Sequence, residues 1–186
     1  MTSPDLWLFQ TINGLAERSP VLDSVMLMLA RPSTLWVPGG LVVAYLLWRD
    51  WRQAMVFVTS LSGVVVIGDF FGAQIKHLVA RARPCRVVAG VHDLVGCGGT
   101  FSFPSNHAVN TAAAAAFAHV LFPGSGWVTW PIVLIVGIAR VYVGAHYLTD
   151  VIGGWVIGGT LGVGAAWLVR RWLWQPRKSS VDLARS

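Results

Sequence analysis

Apolar residues run along this chain in long blocks, broken by short polar or Gly/Pro-rich stretches. The pattern predicts helices throughout. Leu6, Leu8, Phe9, Ile12 and Leu15 share one helical face, flanked by Asp5, Glu17 and Arg18. Residues 1–19 therefore form an amphipathic helix, either lying in a membrane interface or packed on a helical bundle. Pro20 to Ala30 is apolar but shorter than the roughly 20 residues a membrane span requires. Pro32 and Ser33 interrupt it, and hydrophobicity resumes over Leu35–Trp48. Residues 21–48 read as one broken span entered by a short helix and closed by Arg49, Asp50 and Arg52. A second span covers about Ala54–Ile75. A basic, Gly-rich loop follows, and three more spans start near Ser105, Trp127 and Tyr147. Pro123-Gly124-Ser125-Gly126 is a tight turn. The glycines of the last span allow close helix approach. The tail, residues 175–186, is polar. There is no internal repeat and no linker, so residues 1–186 form a single domain.

Composition turns this pattern into a membrane protein. Hydrophobic residues make up 55% of the 186 and charged residues 12%, against roughly 25% charged in a soluble domain. Mean hydropathy is +0.62. Ten Trp and eight Phe exclude a disordered chain, and two Cys exclude a disulfide-stapled mini-protein. The opening has neither the basic start nor the long apolar run of a cleavable leader. The fold class is all-α: a polytopic bundle of about five spans. Trp36, Trp127, Trp130, Trp172 and Trp174 are candidate interfacial anchors.

The net charge of +6 would point to nucleic acid in a soluble domain. No basic helix or RNA-type aromatic motif supports that, and nucleic acid is not an expected partner. The charges instead set topology. Arg49 and Arg52, then Arg170, Arg171, Arg177 and Lys178, fall on one side of a five-span chain, which the positive-inside rule makes cytoplasmic. The loop Lys76–Thr100 faces outward and is basic too. Cations on the wrong side imply an anionic ligand there.

Three clusters converge on that outer face: Lys76 with Arg83-Pro84, Pro104-Ser105-Asn106-His107, and Arg140 with His146 and Asp150. Lys76, Arg83 and Arg140 supply fixed charges, and arginine forks match phosphate oxygens. Ser105 and Asn106 open a helix whose free N–H groups favour an anion. His146 and Asp150 are four residues apart and would share a helix face, the carboxylate fixing the imidazole tautomer. His107, beside the anion site, can protonate a leaving oxygen. The set reads as a phosphate pocket with one nucleophilic and one acidic histidine. Singly, each element has a structural explanation: a buried histidine, a headgroup anchor, a helix cap.

Lys76-x6-Arg83-Pro84, Pro104-Ser105-Asn106-His107 and Arg140-x5-His146-x3-Asp150 resemble the three signature motifs of the type 2 phosphatidic acid phosphatase superfamily, membrane lipid phosphatases related at the active site to vanadium haloperoxidases. Within it, the opening LFQTINGLAERSPVLDSVM looks like the bacterial undecaprenyl-diphosphate phosphatases. The resemblance implies that His146 forms a phosphohistidine, Asp150 orients it and His107 protonates the leaving group. Lys76, Arg83, Ser105, Asn106 (through its backbone amide) and Arg140 would hold the phosphoryl oxygens. It implies a lipid phosphate substrate, no metal or other cofactor, and a place in the bacterial inner membrane with the site facing the periplasm or outside. The chain likewise offers no Cys/His or carboxylate ligand spacing for Zn or Mg. Two positions depart from the family pattern. Asn106 stands where Gly is usual; Asn supplies an N–H and tolerates φ > 0 better than most residues. Ala139 stands where Ser is usual, removing a hydroxyl.

The reaction class is thus hydrolysis of a lipid phosphate or diphosphate, with undecaprenyl diphosphate the first substrate and phosphatidylglycerophosphate, phosphatidic acid or lipid A phosphate the alternatives. A lipid-phosphate binder or transporter would need the cations but not both histidines and the carboxylate. Arg81 and Arg86 are candidate contacts to a second phosphate, or headgroup anchors. Asp69, inside a span, costs roughly 2.5–3.5 kcal/mol there and needs a partner. His77, His92 and His119 read as structural or solvated. Cys85 and Cys97 bracket the outer loop, as a disulfide or as two thiols.

Overall fold

The computed structural model describes residues 3–174; the polar tail, with Arg177 and Lys178, lies outside them. The described chain contains seven α-helices and no strand beyond one isolated bridge between Ala82 and Phe101. They are α1 (Pro4–Asn13), α2 (Pro20–Ala30), α3 (Trp36–Val79), α4 (Pro84–Val87), α5 (Asn106–Leu121), α6 (Gly126–Tyr142) and α7 (Leu148–Trp172). Short 3₁₀ turns, Pro32–Leu35 and Pro123–Ser125, precede α3 and α6. Proline opens α1 and α2, where its missing N–H costs nothing, and Ser3 and Ser19 cap them by accepting from Leu6 N and Leu22 N.

The polar step expected at residues 49–52 is narrower than a loop. Helical backbone breaks at Asp50 alone (φ −161°, ψ 97°). Its carboxylate accepts the Arg52 and Gln53 N–H groups, so Asp50 caps the second arm of α3. Leu35, just ahead of the first arm, borders the same cavity as Asp69 on the second. The first arm therefore runs back alongside the second, and its Trp36, Val37, Leu41 and Trp48 face outward. Such apolar exteriors suit lipid. Three helical runs, Pro32–Val79, Pro123–Tyr142 and Leu148–Trp172, are long and apolar enough to cross a membrane. The chain is an integral membrane protein.

The bundle centres on α5 against α7. α5 offers an alanine-rich face, with Ala108, Ala112, Ala113 and Ala116 buried, and α7 answers with Gly154, Gly158, Gly162 and Ala166 at four-residue spacing. The approach is close: a Cβ on Gly158 would lie 2.0 Å from the Val109 carbonyl oxygen. Small residues are what let membrane helices pack at this distance. Phe57, Val64, Phe117, Leu121 and Val169 fill the bundle around this seam.

Of the two readings of the N-terminal helix, the packed one is what the structure contains. Phe9 is fully buried against Tyr147, with ring centroids 5.4 Å apart, beside Ala108, Val141 and Val151. Asn13 ties α1 to the bundle by donating to the His92 and Tyr142 carbonyls. Only the Trp7 side points away. Among the expected tryptophan anchors, Trp174 differs: it packs edge-on to Phe122 at 5.3 Å as part of the core, whereas Trp36, Trp127 and Trp172 are largely exposed.

Candidate active site

The three sequence clusters meet at one end of the bundle, each held at a helix end. Lys76 lies in the last turn of α3, which stops at Ala80 in the left-handed region (φ 48°). Its ammonium donates to the Pro104 carbonyl. The chain then passes Arg81 and Arg83, enters α4 at Pro84 and makes the outer loop, closed by a Cys85–Cys97 disulfide and by Arg86 donating to the Gly98 carbonyl at 3.2 Å. Ser105 precedes α5, fully buried, its N–H donating to the Asp150 carbonyl at 3.0 Å. This bond fixes the start of α5 to the start of α7. Arg140, in the last turn of α6, is 9% exposed and donates through Nη1 to the Ala30 carbonyl.

His146 and Asp150 do not share a helix face as their spacing suggests. α7 begins only at Leu148, and Gly144, at φ 81°, turns the chain ahead of it. A side chain at Gly144 would strike the His92 carbonyl oxygen at 2.6 Å. The pair meets through helix capping instead. Asp150 folds back so that Oδ2 accepts the Tyr147 N–H at 2.8 Å, and the same oxygen stands 3.7 Å from His146 Nδ1. That separation is an ion-pair distance, longer than a hydrogen bond. Burial drives the His146 pKa down to about 4, with the Arg83 and Arg140 charges adding to the shift and Asp150 opposing it. The imidazole is therefore neutral at physiological pH, the form with a free lone pair.

Several buried groups at this end have no protein partner: Arg83 Nε, Arg140 Nε, Ser105 Oγ, His107 Nε2 and His146 Nδ1. Arg83 does donate Nη1 to the Ala145 carbonyl at 3.3 Å, which points its guanidinium at the His146 turn. Burial weakens the Arg83 charge, and Arg86 weakens it further against the pull of Asp150, yet a guanidinium stays protonated under such shifts. An unpartnered buried donor costs about 1–3 kcal/mol. Three such donors beside two histidines fit an anion with several acceptor oxygens.

Asn106 opens α5 and also borders the cavity beside His107. It is the first helical residue of α5 and does not use φ > 0, so the tolerance expected of it is not drawn on. Its side chain turns to α3 over Gly72 and donates to Asp69 Oδ1 at 3.0 Å, as does Asn110. These two amides are the partner that Asp69 needs. Ala139 is fully buried in an apolar cluster with Ala16, Ala30 and Tyr142, where a methyl fits. Arg81, a candidate for a second phosphate, is drawn to the rear of the site: Nη1 meets Asp150 Oδ1 at 2.7 Å and Nη2 meets Asp5 Oδ2 at 2.6 Å. His92 pairs with Glu17 at 2.9 Å, and His77 rests edge-on to Phe101.

A cavity of 410 Å³ opens beside His107, bordered by Asp69, Asn110, Thr111, Arg31, Leu29 and Leu35 among others. Arg31 and Asn110 carry no motif signal. Asn110 follows His107 by three residues on α5, and only the fold brings Arg31 beside them.

Membrane-crossing helices around a buried cationic pocket with paired histidines define an integral-membrane lipid phosphatase. The chain belongs to the PAP2 superfamily, whose sequence profile matches residues 53–174. It is 31% identical over 166 residues to the lipid A 4'-phosphatase of Bacteroides thetaiotaomicron, covering 83% of this chain and 72% of that one. It is 28% identical over 162 residues to the undecaprenyl-diphosphatase BcrC of Bacillus subtilis, covering 83% and 79%. Its fold matches the crystal structure of the transmembrane PAP2-type phosphatidylglycerolphosphate phosphatase from Bacillus subtilis, with TM-score 0.70 and 22% identity over 94% of this chain and 87% of that one.

Proposed function

We propose that this phosphatase hydrolyses a prenyl diphosphate, undecaprenyl diphosphate, through a phosphohistidine on His146. The observation that carries the reading is the set of buried, partnerless donors, Arg83 Nε, Arg140 Nε and Ser105 Oγ, around a neutral His146. In the first step, His146 Nε2 attacks phosphorus while the bond to the leaving oxygen breaks. His107 Nε2 gives that oxygen its proton. Asp150, 3.7 Å from Nδ1, stabilises the cationic phosphoimidazole. In the second step, water loses a proton to His107 and attacks phosphorus, the N–P bond breaks, and phosphate leaves with both histidines restored. Lys76, Arg83 and Arg140 spread over the equatorial oxygens in the place a metal ion takes elsewhere, and no step needs a metal. The α5 N-terminus adds its free N–H groups, those of Asn106 and its neighbours.

The disulfide in the loop over the pocket supports a site on an oxidising face, the outer side of the bacterial inner membrane. A lipid A phosphate is the second reading, favoured by the 31% identity to the Bacteroides enzyme. Phosphate release in EDTA from undecaprenyl diphosphate, lipid A and phosphatidylglycerophosphate, beside His146→Ala, tests both. The expected result is turnover of undecaprenyl diphosphate above the others and none by the variant. Preference for lipid A overturns the substrate; activity without His146 overturns the mechanism.

A further inference from the structure

Arg81 and Asp5 form a layer behind Asp150 that the hydrolytic reading does not use. Arg81 Nη1 donates to Asp150 Oδ1 at 2.7 Å and to Thr149 Oγ1 at 2.6 Å, and Nη2 donates to Asp5 Oδ2 at 2.6 Å. Asp5 in turn accepts from the Thr149 N–H at 3.1 Å and from its hydroxyl at 2.6 Å. The guanidinium also lies over the Tyr147 ring, 3.9 Å from its centroid. Its two donor ends are thus fixed in one orientation between two carboxylates. Asp5 stands at the start of α1, which Phe9 and Asn13 anchor to the rest of the site.

We propose that Arg81 and Asp5 are positioning residues: Arg81 holds Asp150 and partly neutralises it, Asp5 tempers Arg81, and α1 thereby sets how strongly Asp150 supports the His146 cation.

The physics has a sign. The Asp150 side chain is fully buried, and its two oxygens are divided: Oδ1 to Arg81, Oδ2 to the Tyr147 N–H and the His146 ring. A cation on one oxygen weakens the field that the carboxylate exerts on the imidazole. Asp5 draws part of that cation's charge to itself. Burial works against charge on both Asp5 and Arg81, but their mutual bonds outweigh it: the Asp5 carboxyl is held below its ordinary pKa and the Arg81 guanidinium above it. Removing Arg81 strengthens Asp150 toward His146. Removing the Asp5 charge does the reverse. The other charged or titratable groups around His146 are Arg83 from the outer loop, Arg140 from α6 and His107 from α5, with Lys76 of α3 acting on Asp150. The variants leave all of these residues unsubstituted.

This inference rests on His146 as the nucleophile. The experiment is a kcat and KM pH profile on full-length protein across a range of diphosphate-lipid concentrations, for wild type, Arg81→Gln, Arg81→Lys and Asp5→Asn. The His146 titration is read separately by NMR of ¹⁵N-histidine-labelled protein, with His146→Ala to identify the signal. In Arg81→Gln the acidic limb and the ring titration rise by roughly one pH unit, kcat falls about tenfold, and KM stays within twofold. Arg81→Lys restores the wild-type limb. Asp5→Asn, which leaves Arg81 in place and keeps a side chain of the same size, moves both readouts down. Movement of both variants in the same direction, or a fall in kcat with no shift, overturns the proposal and leaves a scaffold role. A His146→Ala variant with activity would overturn the nucleophile reading instead, while the NMR titration still reports on the Arg81 layer.

Discussion

Gly158→Ala is the substitution that most directly tests whether the α5–α7 seam sets the active site. A methyl at that position would stand 2.0 Å from the Val109 carbonyl oxygen and 2.8 Å from its carbon. Ordinary contact between such atoms is at about 3.5 Å, so the helices must part by roughly 1 Å or more. No side chain can swing aside, because the obstructing atoms are backbone. Overpacking of this kind costs about 1–3 kcal/mol, which lowers Tm by roughly 2–12 °C in a chain of this size. One turn toward the site, Gly154 is also close to α5, where a methyl would stand 2.8 Å from the Ser105 carbonyl oxygen. Beyond it lies the Ser105 N–H to Asp150 carbonyl bond of 3.0 Å. Parting the helices stretches that bond and moves His107 and Ser105 away from His146. A misplacement near 1 Å costs about 100-fold in rate.

The controls are built into α7. Gly159 meets nothing within 4 Å, so Gly159→Ala leaves activity unchanged and gains about 0.5–1 kcal/mol from helix propensity. Gly162, one turn farther from the site, would press its methyl to 2.3 Å from the Ala113 carbonyl oxygen. Gly162→Ala therefore loses a similar Tm but less kcat than Gly158→Ala. Thermal melts in detergent and phosphate release measure both quantities. If Gly158→Ala behaves as Gly159→Ala does, the seam is looser than its geometry says and the reasoning fails.

Other substitutions follow from the same contacts. Asn106→Gly keeps the backbone N–H at the head of α5 but removes one of the two amides on Asp69; KM should change less than threefold while stability drops by about 1 kcal/mol, and a large loss in kcat would mean the side chain touches substrate. Replacing Cys85 and Cys97 together by Ser releases a loop whose ends are 12 residues apart, costing about 3 kcal/mol; an unchanged Tm in melts with and without reductant would count against a stabilising bridge. His146 titrates near 4 when folded and near 6.5 when unfolded. Between those values the unfolded chain takes up a proton that the folded chain refuses, so stability falls as pH drops through the window, is level below it and is unaffected above it. Denaturation at pH 7 and pH 4 should show wild type losing about 3 kcal/mol more than His146→Gln; equal losses would place the histidine outside the core.

The elements legible in the sequence were those with a local cause. The boundaries of α5, α6 and α7 followed from proline, glycine and the apolar blocks, and Asp50 was marked by its polar neighbours. Its role as a cap was less visible, since a one-residue break with two N–H groups satisfied looks the same in sequence as a short loop. The His146–Asp150 contact shows a related limit. Spacing of four implied a helix face, but the helix begins after His146 and the carboxylate turns back to cap it. Arg81 stood out as a candidate phosphate contact, but its ion pairs were hidden in a stronger sense. Its partners Asp5 and Asp150 lie 76 and 69 residues away, and only the docking of α1 on the bundle brings them to one guanidinium. No periodic pattern encodes a contact between an N-terminal helix and a loop beyond the second arm of α3.

The arrangement of charge explains why the motifs nevertheless stood out. Most of the candidate site residues sit at helix ends. Lys76 and Arg140 occupy the last turns of α3 and α6, where the helix dipole presents partial negative charge. Ser105, Asn106 and His107 open α5, and Asp150 lies in the first turn of α7, where the dipole is positive. Lys76 and Arg140 are thus placed where a helix favours a cation, and the carboxylate where a helix favours an anion, at about 0.3–1 kcal/mol apiece, whereas Arg83 stands ahead of α4. The first turn of α5 carries no acidic side chain. It borders the partnerless donors of Arg83, Arg140 and Ser105, and a phosphoryl group there completes the same electrostatic pattern. Helix ends at a membrane surface are also where polar residues interrupt apolar blocks, so the chemistry falls at the positions a hydropathy reading already marks as boundaries.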